Sequence, residues 1–380
     1  MVFSSVILAY ISLFAFGLAD NIRGPLFSEI LTEFGLSNST GSWIFALSST
    51  FAFLSSFAAA SVLRKVTHRH LLQFSLVILA MGLYGFSIAH DLFQMLFAAC
   101  IFGVSIGFLG VCQNALVVLG TTPQKRKQWL SGLHAMYAIS SFLAPMIVAY
   151  MASRSADWRS SFQVAAVFPF VVFLVSFFLK ASAHHLPEIK SEKVKTPDQS
   201  LYLQSLVGAC FAFYVVAEIM ITSRLGLFYR REMNETLENS SLMVGYFFLF
   251  LFASRALFTI FHFKTSLYKM LFISLLSSVI FVCIGLIFNP WFLVFTGFAM
   301  GPFYGFSIAY ISEIFHEKTN QAIGLAMGMQ SSFVVVMHLS FGYLSDILTL
   351  KKALWMGPVA LTLALFFLWR SHSTHSMEKS

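Results

Sequence analysis

Two carboxylates lie where a carboxylate is costly. Asp20 and Glu218 both occur inside long apolar stretches of the chain. An ionisable side chain near the centre of a membrane-spanning helix costs about 2.5–3.5 kcal/mol or more, so its presence requires a partner or a function. A carboxylate in such a place can bind and release a proton, and we expect Asp20 and Glu218 to couple proton movement to another process. The alternatives are a static ion pair for Asp20, and a gate contact or a simple interfacial position for Glu218.

Three arginines are candidate partners for these acids. Arg23 lies three residues after Asp20, on the same helical face, and the adjacent Gly24-Pro25 can loosen the helix around a cavity. Arg224 lies six residues after Glu218, which is not a helical neighbour distance, so Glu218 is expected to pair with another helix, in the same half of the chain or in the opposite one. Arg255 is the expected partner for an acid or for an anionic substrate group, unless it extends to the membrane interface.

Gating is a second use for such charges. Arg224 and Arg255 are candidates for gating ion pairs, as is Glu313, which is expected at the inner end of its helix. A bridge from Glu313 to loop lysines or arginines could close an inner gate, whereas simple solvation is the alternative.

Amide, imidazole and phenol groups occur at several positions inside other apolar stretches. Amides offer both donors and acceptors, which suits a hydroxyl-rich or amide-bearing solute. Hydrogen bonds between helices would use the same groups, but as a set they favour a lined cavity. His338 is expected to be structural. The substrate-binding candidates are Asn21, Arg23, Gln113, Asn114, His134, Tyr137, Tyr304 and Gln330.

Composition shows which elements must position these residues. Hydrophobic residues make up 58% of the 380 positions and charged residues only 11%, where a soluble domain would have roughly 25% charged residues. A membrane-spanning helix needs about 20 mostly apolar residues. The sequence therefore predicts an all-α membrane protein of about twelve spanning helices. The apolar runs after the first helix lie at 41–63, 70–90, 91–119, 129–152, 160–180, 201–226, 241–262, 270–288, 291–315, 321–343 and 353–370.

The runs divide into two similar sets of six. The predicted divisions are 1–180 and 201–370 for the two six-helix halves, 181–200 for a cytoplasmic linker and 371–380 for a cytoplasmic tail. Asp20 lies 17 residues after Phe3 and Glu218 lies 17 residues after Leu201, so an acid recurs at a similar depth in the first helix of each half. Repeated halves with polar groups near the midplane are typical of secondary transporters.

The basic loop residues indicate orientation. Of the 24 lysines and arginines, fifteen fall in loops or termini on the side of the linker and six in loops on the other side. Basic loops stay cytoplasmic, so both termini and the linker are expected on the cytoplasmic side. The membrane is expected to be the plasma membrane, which is the inner membrane if the source is bacterial. The net charge of +8 is thus a topology signal, and no nucleic-acid partner is expected.

These features resemble the major facilitator superfamily along nearly the whole chain: six plus six helices, a basic central loop, and basic loops after the second and eighth helices. Within it, GFLGVCQNALVVLG is similar to the fourth-helix Gln/Asn region of the fucose- and glucose/galactose-type sugar–proton symporters. LRKVTHRHLL resembles the loop after their second helix, and Ser254-Arg255 their Gly-Arg pair. Two positions depart from the pattern. Leu63 stands where many members carry an acid, and no glutamate occurs between Gly103 and Gly120.

The resemblance implies alternating access, with two pseudo-symmetric bundles rocking around a midplane site. We expect transport of a small polar solute, a sugar being one class, coupled to protons. The alternatives are proton-driven export of hydrophobic compounds and a non-transporting receptor or structural protein. No HExxH, Walker A or metal-spaced His/Cys pattern is present, so no enzyme activity, cofactor or metal is expected. The expected partners are the solute, protons and lipids, and the chain is expected to be a monomer.

Overall fold

Twelve helices are long and apolar enough to cross a membrane in the computed structural model of the chain, which describes residues 3–122, 125–179, 201–261 and 265–379. The prediction of an all-helical protein with about twelve spans is therefore confirmed. The predicted linker, 181–200, lies outside the described residues.

The first six spans cover the first half of the chain. We number the helices in chain order, counting a span with a break as one helix. They are α1 (Phe3–Asn21 and Arg23–Glu33), α2 (Asn38–Val62), α3 (His68–Ile88), α4 (Leu92–Gly120), α5 (Arg126–Ser153) and α6 (Trp158–Ser176).

The other six spans cover the second half. The last of them continues to Lys379 and so includes residues predicted as a tail. They are α7 (Leu201–Arg231), α8 (Leu237–Ile260), α9 (Leu267–Ile287), α10 (Trp291–Met300 and Phe303–Phe315), α11 (Thr319–Ile347) and α12 (Leu350–Ala353 and Met356–Lys379).

Three spans are interrupted beside a Gly-Pro pair. The break in α1 falls at Ile22, just before Gly24-Pro25, the break in α10 falls at Gly301-Pro302, and the break in α12 falls just before Gly357-Pro358. Proline has no N–H for the helical ladder and its ring crowds the preceding turn, so each helix is interrupted where the chain carries this pair. The bend in α1 directly follows Asp20, so the acid lies at an irregular part of its helix.

Buried apolar side chains form two cores, one for each half. The first core lies within residues 8–166. The second core consists of residues from 203–368 together with Phe27, Leu31 and Phe45 of the first half. Because the spans alternate in direction, α1 begins and α12 ends on the same face of the molecule, which we call the terminal face. The opposite face, which carries the turn between α1 and α2, is the distal face.

The halves are joined tightly near the distal face. Asp346 of α11 accepts hydrogen bonds from the backbone N–H groups of Asn38 (2.9 Å) and Ser39 (2.8 Å), at the positive N-terminal end of α2. Arg230 of α7 forms an ion pair with Glu29 of α1 at 2.8 Å. These bonds link the first half to the second, so the distal face is closed in this state.

Two glycines in the middle of α4 and α10 have space beside them. A Cβ at Gly110 of α4 or at Gly305 of α10 would meet no atom within 4 Å. Gly107, one turn before Gly110, packs against Ala52 of α2, and Gly301, one turn before Gly305, packs against Leu251 of α8. Another helix could therefore approach Gly110 and Gly305 more closely than any does in this state.

Candidate functional site

A cavity of about 560 Å³ lies between the two halves. Its walls come from α1, α2, α4 and α5 in the first half and from α7 and α11 in the second. The polar residues that line it are Asp20, Asn21, Arg23, Ser48, Ser49, Ser56, Tyr137, Thr222, Ser223, Gln330, Ser331 and His338. A cavity of this volume falls in the range that holds a small molecule.

The carboxylate of Asp20 is held at both oxygens. Arg23 Nη2 donates to Oδ1 at 2.6 Å, and the hydroxyl of Tyr137 from α5 donates to Oδ2 at 2.9 Å. The Asp20 side chain is 25% exposed, and it lines the cavity. It therefore combines an ion pair with access from the cavity, which is the arrangement that a reversible proton site requires.

Asn21 and Arg23 complete the α1 part of the site. The Asn21 amide donates to the hydroxyl of Ser141 at 2.9 Å. The Arg23 guanidinium carbon lies 4.2 Å from the ring centroid of Phe102 and 5.2 Å from that of Phe45. Such cation–π contacts partly replace the water that a buried guanidinium loses. These contacts and the Asp20 pair fix Arg23 at the cavity wall.

Glu218 belongs to a second charged pair, next to the cavity. Its Oε1 lies 3.5 Å from Arg255 Nη2, and Arg255 Nε donates to the backbone oxygen of Gly301 at 3.0 Å. The partner of Glu218 is thus in the same half of the molecule, on α8, and is the arginine that the sequence favoured as a partner for an acid. The possibility of a partner in the opposite half is not realised in this state. The pair connects α7, α8 and the break in α10.

The Glu218–Arg255 pair should show as coupling in a double-mutant cycle. Glu218→Gln or Arg255→Gln alone leaves one partly buried charge without its partner, so each is expected to lower the melting temperature in detergent. The double variant carries neither charge, so it should recover part of the stability that the single variants lose. The expected coupling energy is about 0.5–3 kcal/mol. Strictly additive losses would show that the two side chains are independent.

The other substrate-binding candidates divide into two groups. Tyr137 and Gln330 line the cavity together with Asp20, Asn21 and Arg23. Gln113, Asn114, His134 and Tyr304 are not among its lining residues in this state. Among the described residues, no hydrogen-bond partner is present for the buried amide of Gln113. The Asn114 amide donates to the backbone oxygen of Gly110, and Tyr304 packs against Phe211.

The two remaining gate candidates differ in burial. Arg224 is fully buried, and its Nη2 donates to Ser42 of α2 at 3.1 Å. Glu313 is exposed near the end of α10 at the terminal face. Arg224 therefore joins the halves in this state, and Glu313 is accessible to solvent at the terminal face.

His338 and six hydroxyl groups are cavity residues that the sequence reasoning did not select. His338 Nδ1 lies 3.4 Å from Arg224 Nη2, and its ring stacks on Phe45. Three of the hydroxyls are serines of α2, at 48, 49 and 56. Their spacing puts them on one helical face, a pattern in an apolar helix that could have identified them.

The chain is similar to a known protein family and to several solved structures. A profile described as Major Facilitator Superfamily matches residues 9–338. No curated protein matches the chain. A D-xylose–proton symporter structure is 13% identical, with a TM-score of 0.81 and 97% of each chain covered. The E. coli xylose transporter XylE in an inward-open conformation is 15% identical, with a TM-score of 0.76, 97% of this chain covered and 96% of that one.

A third similar structure is that of a bacterial homologue of the human lysosomal transporter Spinster, inward-facing and occupied, at 12% identity, with a TM-score of 0.77, 98% of this chain covered and 97% of that one. At these identities the likeness shows a shared fold.

Proposed function

The chain belongs to the Major Facilitator Superfamily and is a secondary transporter, and we propose that it moves a small polar solute through the central cavity in symport with protons. The cavity carries the proposal. Both halves line it, it holds polar groups of several kinds, and one of its lining groups is a carboxylate in an ion pair. Sugars are the first solute class to test, since amides, hydroxyls and aromatic rings together suit a polyhydroxylated molecule.

Alternating access follows from where the halves touch. The bonds described between the halves lie near the distal face, at Asp346, Arg230 and their partners, and the mid-helix glycines Gly110 and Gly305 have space beside them. Rocking of the two halves would break the distal contacts and bring the terminal ends together. The distribution of lysine and arginine favours a terminal face on the cytoplasmic side of the cell membrane, and in that orientation the cavity faces inward in this state.

Asp20 is the proposed coupling group, and Glu218 a second candidate. A proton on Asp20 would neutralise the carboxylate and release Arg23 from its 2.6 Å ion pair. The freed guanidinium could then interact with the solute or allow the halves to move. Because Asp20 lines the cavity, the proton would reach it from whichever side the cavity faces. Proton and solute binding would thus be linked at neighbouring atoms.

Solute-induced proton movement in proteoliposomes tests the proposal. The purified chain is reconstituted, and sugars followed by other small metabolites are added outside while the external pH is recorded. A solute that makes the external medium alkaline is expected under symport. Counterflow with no pH change would indicate uniport, with Asp20–Arg23 as a static pair. Failure of the whole panel would favour the alternative of proton-driven export of hydrophobic compounds, which the phenylalanines of the cavity wall could accommodate.

A further inference from the structure

Positive charge exceeds negative charge around the closed end of the cavity. Asp20 pairs with Arg23 and Glu218 pairs with Arg255. Among the described residues, no carboxylate lies within ion-pair distance of Arg224, although it is 0% exposed. Removing a charge from water is expensive unless it is paired and fully hydrogen-bonded. Arg224 is therefore the one arginine of this group whose charge has no carboxylate partner within the described chain.

The surroundings of Arg224 compensate it only in part. Its Nη2 donates to Ser42 and lies beside His338, and aromatic rings cover the guanidinium, with the Phe27 ring centroid 4.3 Å and the Phe45 centroid 4.7 Å from its carbon. Its Nε and Nη1 have no hydrogen-bond partner among the described residues. The positive charge of Arg224 is thus covered by aromatic rings but is not neutralised, so it can still attract an anion nearby.

Arg23 brings a second incompletely used guanidinium to the same place. It is 7% exposed, it lines the cavity, and its Nη1 has no hydrogen-bond partner among the described residues. The ring of Phe45 lies between the two guanidiniums, 5.2 Å from the Arg23 carbon and 4.7 Å from the Arg224 carbon. Phe45 and His338 both line the cavity, so both arginines act on its closed end.

We propose that the transported solute is a monocarboxylate, such as a sugar acid, whose carboxylate binds Arg23 at the closed end of the cavity with Arg224 supplying the uncompensated positive charge. The proposal rests on the proposed function and names its substrate class. One unpaired arginine matches one negative charge, whereas a phosphate dianion would leave an excess negative charge in a poorly hydrated site. Arginine also binds a carboxylate through two parallel N–H groups.

The same geometry links the solute to the proton. Asp20 and the solute carboxylate compete for Arg23, so a proton on Asp20 frees Nη2 for the solute. The other titratable or charged groups near this pair are Tyr137 on α5 and His338 on α11, and beyond Tyr137 lie Glu218 on α7 and its partner Arg255 on α8. One proton and one monoanion cross together with no net charge. Transport is therefore electroneutral: a pH gradient drives it and a membrane potential does not.

Matched acid and neutral probes test the proposal in the purified full-length chain. D-glucose with D-glucuronate, D-galactose with D-galacturonate and glycerol with glycerate differ mainly in the carboxylate. Binding is followed by the shift in melting temperature, and uptake into proteoliposomes is driven either by a pH gradient or by a valinomycin-imposed potassium potential. At least one acid is expected to bind about tenfold or more tightly than its neutral counterpart, and its uptake should respond to the pH gradient alone.

Arginine variants locate the bound carboxylate. Arg23→Gln and Arg224→Gln are each expected to weaken binding of the acid about tenfold or more, while Arg224→Lys, which keeps the charge in case Arg224→Gln does not fold, should stay within about threefold. Arg159→Gln is the matched control, because this arginine pairs with Glu33 at the surface of the first half. It should bind the acid like the native chain.

Each contrary outcome has a distinct meaning. Binding or potential-driven uptake of a neutral sugar, with its acid excluded, would keep the proposed function and overturn the monocarboxylate inference. Absence of binding by any acid in the panel, or unchanged acid affinity in the Arg23 and Arg224 variants, would also overturn it. An acid that binds in an arginine-dependent manner but is not transported would support the binding site and contradict the proposed function.

Discussion

Asp20→Asn is expected to abolish accumulation of the solute against its gradient while leaving counterflow measurable. At one proton per solute, a gradient of one pH unit supports about tenfold accumulation, since a tenfold ratio corresponds to about 1.4 kcal/mol. Asparagine keeps the size and the carbonyl oxygen that Arg23 or Tyr137 could donate to, but it cannot bind a proton. The variant should therefore equilibrate the solute, with an internal to external ratio near one.

The measurement compares pH-driven uptake with counterflow in the same proteoliposomes. Glu33→Gln is a matched control, because it also removes one acid from α1 that pairs with an arginine, but that side chain is 46% exposed. Its accumulation should equal that of the native chain. An Asp20→Asn protein with unchanged accumulation and unchanged pH dependence would show that the coupling group lies elsewhere, and Glu218 would be the next acid to test.

The number and order of the spans could be predicted from the sequence, because each membrane helix hydrogen-bonds its backbone groups within its own segment. Such a helix can therefore be recognised from one apolar stretch of the chain. Asp20 and Arg23 could be paired for the same reason, since three residues along one helix make them neighbours. The structure adds what local spacing does not contain: the hydroxyl of Tyr137, which is 117 residues away along the chain, completes the Asp20 site.

The second half shows where local reasoning ends. Glu218 repeats the depth of Asp20, but its arginine is on a different helix, 3.5 Å away on α8. Arg224, which lies six residues after Glu218 where Arg23 lies three after Asp20, is directed towards the first half and donates to Ser42. The rotation and tilt of α7 decide between these partners, and they depend on packing against helices distant in sequence. The repeat therefore predicted that an acid would recur, but not which arginine it would contact.

The same limit explains His338. A histidine near the end of an apolar helix is consistent with helix packing, and nothing in its neighbours indicates a cavity. Its position at the cavity wall results from the way α11 crosses α2, where Gly342 permits close approach near the distal face. This crossing also offers the sharpest test of the conformational cycle.

Gly342→Val is expected to prevent closure of the distal face and to trap the protein facing outward. A Cβ at Gly342 would lie 2.8 Å from the backbone oxygen of Asn38 and 2.8 Å from the Cα of Ser39. These atoms belong to the N-terminal turn of α2, which Asp346 also holds. Because backbone atoms cannot move aside as a flexible side chain can, the halves must separate there. Overpacking costs about 1–3 kcal/mol, which lowers the population of the closed form about 5- to 150-fold.

Spin labels on the distal face make this separation measurable. With the four native cysteines replaced, labels at Thr32 of the first half and Leu348 of the second report the distance between the halves, since both side chains are exposed there. Gly342→Val should shift the distance distribution to longer values and reduce transport in proportion. Gly305→Val controls for expression and folding, because a Cβ there would meet no atom within 4 Å in this state. If Gly342→Val keeps the native distances and transports normally, the contact between α2 and α11 cannot be the one that closes the distal face, and closure would have to depend on the crossing of α1 with α7, where Gly24 lies against Thr222.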